Sequence, residues 1–132
     1  MPANDRQVGG EHYIKKYQHW DFVCDTGMHY LLGCATKYVT RWREKNGLED
    51  LEKPIHYLEK AVEQCIEFPK CDKDLIMNYV GDMRIEDAAI IINICNNEFD
   101  MATIRIAHLI AEEQERLDDL EAGPTSGYVD QD

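Results

Sequence analysis

Apolar residues recur along this chain at three- and four-residue spacing, in short runs separated by glycine, proline and asparagine, which is the signature of packed helices. Residues 1–10 are polar and end in Gly9-Gly10, so they read as a loop. Trp20, Phe22 and Val23 anchor a first short helix from Trp20 to about Cys24. Tyr30 to Lys45 predicts a second, with Leu31, Cys34, Ala35, Tyr38 and Trp42 near one face and Asn46-Gly47 closing it. A third should start at Glu49 or Asp50, acidic residues suited to a helix N-terminus, and carry Leu51, Ile55, Leu58, Val62 and Ile66 on its core face. Because proline is comfortable only in a first turn, Pro54 argues against a start much before Asp50, and Phe68-Pro69 ends the segment.

Beyond Pro69 the pattern predicts helices over Asp72 to Val80, Ile85 to Cys95 and Met101 to about Leu120, with breaks at Gly81-Asp82 and Asn96-Asn97. Ile90, Ile91, Ile92 and Ile94 are β-branched, yet the Glu86-Asp87-Ala88-Ala89 start favours a buried helix over a strand. The last helix carries Ile104, Ile106, Ala107 and Ile110, turns acidic from Glu112 to Glu121 and stops at Gly123-Pro124, ahead of a tail expected to be disordered. The expected fold is all-α: a small helical domain of about five helices with an N-terminal loop. It divides into residues 1–68, a helical extension 69–122 and a disordered tail 123–132.

Charge narrows the function. Over 132 residues the net charge is −12, which argues against general binding of nucleic acid or anionic lipid. Residues 1–60 hold 9 basic and 9 acidic side chains, leaving 5 basic and 17 acidic for the rest, so an anion site belongs in the balanced first half. The most apolar stretch, Ala88 to Cys95, is too short to span a bilayer, and Met1 to Gly10 has no apolar run of signal-peptide length. Five cysteines, an odd number without a CxxC pair, point to free thiols in a reducing, cytoplasmic setting and give no zinc-site spacing.

In that first half Lys37, Arg41 and Lys45 follow at i, i+4 and i+8, within about 80° of arc on one helix face, and border the apolar Tyr38 and Trp42. Cations at such a border hold phosphate partly out of water, where the attraction is stronger. The plainer alternative is a solvated face whose cations pair with Glu44, Glu49 or Glu52. Gly9-Gly10 is either a turn or a backbone cradle for phosphate. His12 and Tyr13 offer a proton donor and a stacking ring, or serve structure alone. Asp50 either caps its helix or helps hold magnesium through water. No GxxxxGK[ST] loop, GxGxxG, HExxH or GxSxG is present, and the paired acidic motifs of all-helical nucleotide pyrophosphatases are only faintly echoed by Glu49 with Glu52 and Glu59 with Glu63.

Taken in order, Val8-Gly9-Gly10-x-His12-Tyr13, Trp20-Asp21, Gly33 with Lys37-Tyr38 and Arg41, Lys45-x-Gly47-x-x-Asp50-Leu51-x-Lys53 and Tyr57-Leu58 resemble the small phage nucleotide kinase family. That family, formerly catalogued as a phage domain of unknown function, transfers phosphate to deoxynucleoside monophosphates without a phosphate loop. The resemblance covers Val8 to about Leu58. It implies a nucleotide site among Gly9, Gly10, His12, Tyr13, Lys37, Arg41, Lys45, Asp50 and Lys53 without assigning their individual roles; the kinase expectation built on it makes Lys37, Arg41 and Asp50 catalytic, the others nucleotide-binding, and ATP with Mg2+ the cofactors. No residue is assigned as a direct metal ligand. Pro54 departs from the alanine-like residue expected there, and the segment after Pro69 carries no part of the resemblance.

The competing functions are a non-catalytic nucleotide-signal sponge that counters host immunity, and an acidic helical assembly or inhibitor protein. A chain this short with apolar residues all round Ile85 to Cys95 and along Ile104 to Ile110 should also self-associate, most simply as a homo-oligomer through those faces.

Overall fold

The computed structural model describes residues 17–126, and these form six helices with no strand among them. They are α1 (His19–Thr26), α2 (Tyr30–Arg41), α3 (Leu48–Glu63), α4 (Lys73–Val80), α5 (Ile85–Cys95) and α6 (Phe99–Ser126). The all-α expectation holds, with six helices where about five were expected. Gly9, Gly10, His12 and Tyr13, and the end of the expected tail from residue 127, lie outside the described residues. Within the expected tail, Gly123 breaks the helical geometry at φ 74° and ψ 170°, where the Gly-Pro stop was predicted, although α6 is assigned through to Ser126.

α2 and α3 pack along each other, α6 lies against α3 and α5, and α5 also touches α2, so these four helices surround the core while α1 and α4 pair beside them. One continuous cluster runs through the whole, from Phe22 and Leu32 through Leu51 and Leu58 to Ile90, Ile94, Ile106 and Leu109. Phe22 of α1 stacks flat on Tyr79 of α4 at 4.3 Å, and the Tyr79 hydroxyl shares a 2.7 Å hydrogen bond with Thr40 of α2. At the end of α2 the buried Asp87 of α5 accepts hydrogen bonds from Trp42 Nε1 at 3.3 Å and Arg43 Nε at 2.8 Å, so a buried carboxylate is matched by donors and pins α5 to the turn after α2.

Several expected faces turn out rotated by about one position. In α2 the buried side is Leu32, Ala35, Thr36 and Val39, with Leu31, Cys34 and Tyr38 only half covered. In α3 it is Leu51, Pro54, Leu58 and Ala61, and Val62 is exposed. In α6 it is Ala102, Ile106 and Leu109, leaving Ile104 in solvent. Helix α3 begins at Leu48, earlier than Pro54 was thought to permit, and ends at Glu63, before Phe68-Pro69. Pro54 therefore sits inside it and returns no N–H to the Asp50 carbonyl. Of the isoleucines expected to need a second chain, Ile90, Ile91, Ile94 and Ile106 are fully buried by this one, whereas Ile85 and Ile104 stay exposed.

Candidate functional site

Helix α2 stops at Arg41, and residues 42–47 form the turn that sends the chain back along it as α3. Gly47 was expected to close the second helix; it is instead the N-cap of α3, at φ 57° and ψ −126°, backbone that a side chain resists. Asp50 falls at the third position of the new helix and is completely buried. There it makes a different contact from either one expected of it. Its Oδ2 accepts from Arg41 Nε at 3.2 Å and from the Asn46 backbone N–H at 3.4 Å, while Oδ1 accepts from Lys53 Nζ at 3.2 Å and Asn46 Nδ2 at 3.3 Å. Burial alone would raise the Asp50 pKa; the Asn46 and Lys53 hydrogen bonds and the Arg41 charge outweigh it and hold the carboxyl below its usual range. The same bond to Asp50 raises Lys53, keeping it protonated.

Because α3 runs back along α2, its residues 50, 53 and 57 meet residues 41, 38 and 34 in turn. Tyr38, half buried, is the meeting point. The Arg41 guanidinium lies 4.7 Å from its ring centre, Lys53 Nζ 4.7 Å and Lys37 Nζ 5.2 Å, and Tyr57 lies nearly parallel to it at 6.0 Å. Each cation–ring contact is attractive, and weak because water competes for the exposed ammonium groups. Lys37 has no carboxylate partner among the described residues, and Arg41 uses only Nε on Asp50, leaving its two terminal amino groups without a hydrogen bond there. One row of side chains thus offers two ammonium groups and a guanidinium on a tyrosine face. That arrangement can hold a phosphate with charge-assisted hydrogen bonds.

Of the residues singled out by sequence, Lys37, Arg41, Asp50 and Lys53 converge. Lys45 lies in the turn beyond the end of α2, and Lys53 from α3 is the third cation on Tyr38. Sequence reasoning gave no site role to Tyr38, Asn46 or Tyr57. Their signal was local: Tyr38 stands three residues before Arg41, and Tyr57 four after Lys53. Asp50 does not fit a magnesium site, since Arg41, Lys53 and Asn46 fill both of its oxygens; no step is assigned to a metal there.

The five cysteines form no disulfide, and among the described residues no helix is long and apolar enough to cross a membrane. No curated protein and no solved structure matches the chain. Residues 9–59, which include α1, α2 and most of α3 and with them every cation on Tyr38, match a family described as DUF3310, a protein family of unknown function.

Proposed function

We propose that the chain binds a nucleotide through its phosphates on the α2–α3 face and acts as a phage-type nucleoside monophosphate kinase in a cytoplasmic setting. The observation that carries this reading is the gathering of Lys37, Arg41 and Lys53 on Tyr38, with Arg41 and Lys53 sharing one buried, saturated carboxylate. The resemblance to the phage nucleotide kinases supplies the reaction class. In it the terminal phosphoryl group of ATP leaves its bridging oxygen and bonds to an oxygen of the monophosphate, yielding ADP and a nucleoside diphosphate. Positioning and neutralisation of charge are the main demands of such a transfer, and the three cations meet both. Magnesium would enter with ATP as part of the substrate. The test incubates the protein with ATP, magnesium and a panel of deoxynucleoside monophosphates; diphosphate should form and should disappear in Lys37→Ala with Arg41→Ala. No diphosphate above that double variant would remove the kinase reading.

The saturation of Asp50 favours a second reading, capture without turnover, because the one buried carboxylate at the site has no oxygen left for acid–base or metal work. A sponge purified from cells should release an unchanged nucleotide on denaturation in native mass spectrometry. Self-association also belongs to the proposal, through the Ile104 side of α6 and not the buried isoleucines of α5, at the groove of about 380 Å³ lined by Glu86, Met101, Ile104, Arg105, His108 and Glu112.

A further inference from the structure

The α2–α3 face does not end at its cations. Continuing away from Arg41, α2 presents Cys34 and then Tyr30, while α3 presents Tyr57 between them and Tyr38. Tyr30 is 72% exposed, although it opens a helix whose other side is core. The Cys34 thiol, one turn further along α2, raises the pKa of its hydroxyl, with a smaller contribution from Tyr57. Burial, then the neighbouring Cys34 and Tyr38, likewise raises the Tyr57 hydroxyl, so both rings stay neutral at ordinary pH.

We infer that Tyr30 and Tyr57 form the base-binding half of the site, taking the flat face of a nucleobase while Lys37, Arg41 and Lys53 hold its phosphate. This rests on the nucleotide-binding reading above and adds what it leaves open, namely what the ligand must carry besides phosphate. A ring this open to solvent contributes little to the core and offers its face for a second ring to stack on. Lys53 and Tyr57 are one turn apart on α3, about 6 Å along the axis, a step that a sugar bridges between base and 5′-phosphate. Stacking accepts any base because each has a π-face, so the site should favour nucleotides over bare phosphates with little choice among bases.

Calorimetry with adenosine 5′-monophosphate, thymidine 5′-monophosphate and ribose 5-phosphate tests this on the full chain. The wild type should bind both nucleotides more tightly than the sugar phosphate. Tyr30→Ala should weaken the nucleotides by between about 5-fold and about 100-fold and leave ribose 5-phosphate unchanged. Tyr30→Phe, which keeps the ring and drops the hydroxyl, should bind as the wild type does. Equal wild-type affinity for nucleotide and sugar phosphate, or a Tyr30→Ala effect that is absent or the same on all three, would overturn the inference and leave the phosphate site standing. No binding of any of the three would remove both. If Tyr30→Ala does not fold, the wild-type comparison and Tyr30→Phe decide.

Discussion

The two oxygens of the buried Asp50 are shared by Arg41, nine positions before it and set there by the turn at 42–47, and Lys53, three positions after; the sequence shows the acid near a helix start but not that turn. The depressed carboxyl has a consequence in acid. Being below its unfolded value, it contributes stability that is complete above about pH 4 and is lost as pH falls through the lower folded value. Urea midpoints should therefore drop from about pH 4 downward, and Asp50→Asn should flatten that part of the profile while costing about 1–3 kcal/mol at neutral pH. A variant whose acid limb is as steep as the wild type's would place the effect elsewhere. Burial, helped by Cys71, pushes the Cys95 thiol up to about 12, whereas Cys24 and Cys65 are exposed. A disulfide reagent at mild alkaline pH should label those two first and reach Cys95 only on unfolding, with five free thiols counted in denaturant. Early labelling of Cys95 would contradict its burial.

At the scale of the element, helix existence and order were legible, and α5 was read with its observed ends, because Arg84 and Asn96 are polar stops around an apolar run. The faces were less legible. A 3.6-residue period locates a stripe only to within about one residue, and α2 and α6 are covered by neighbours on more than one side. The start of α3 was misread because a rule about proline was applied as a prohibition, when its cost is a few kcal/mol that tertiary packing of the buried Pro54 can offset. Two glycines make the turn chemistry testable. Gly27 ends α1 in left-handed geometry at φ 68°, with open space where a side chain would go, so Gly27→Ala should cost only the backbone term of about 1 kcal/mol. Gly47, in the less accessible region at ψ −126°, should cost about 1–3 kcal/mol as alanine and should also weaken phosphate binding, since it sets the register of Asp50 and Lys53. Equal melting temperatures for the two variants would refute that ranking.

Over the whole molecule, the expectation of surplus apolar surface overstated what one chain leaves uncovered. Ile91 and Ile106 are ordinary core, and Ile91→Ala should cost about 2–5 kcal/mol whatever the assembly. Ile85, Met101 and Ile104 remain in solvent, the last two in the groove and Ile85 next to its Glu86. That rim carries both signs, and a second α6 crossing antiparallel near His108 would set Arg105 of each chain against Glu112 of the other. Light scattering at micromolar protein should report at least two chains, and Ile104→Asp should lower the mass without lowering the melting temperature. A monomer throughout would assign the groove no copy of this chain.

The cation cluster on Tyr38 also has a valence. Counting the groups in direct contact, Lys37, Arg41 and Lys53 bring three positive charges to Tyr38, and Asp50, bonded to Arg41 and Lys53, removes one. A surplus of two matches the dianion that a phosphate monoester becomes near neutrality, and it exceeds the single charge of a diester. A terminal phosphate should therefore be preferred over one linked through to a further sugar. The same polynucleotide chain that the molecule's overall charge repels would be refused again at the site, one internucleotide link at a time.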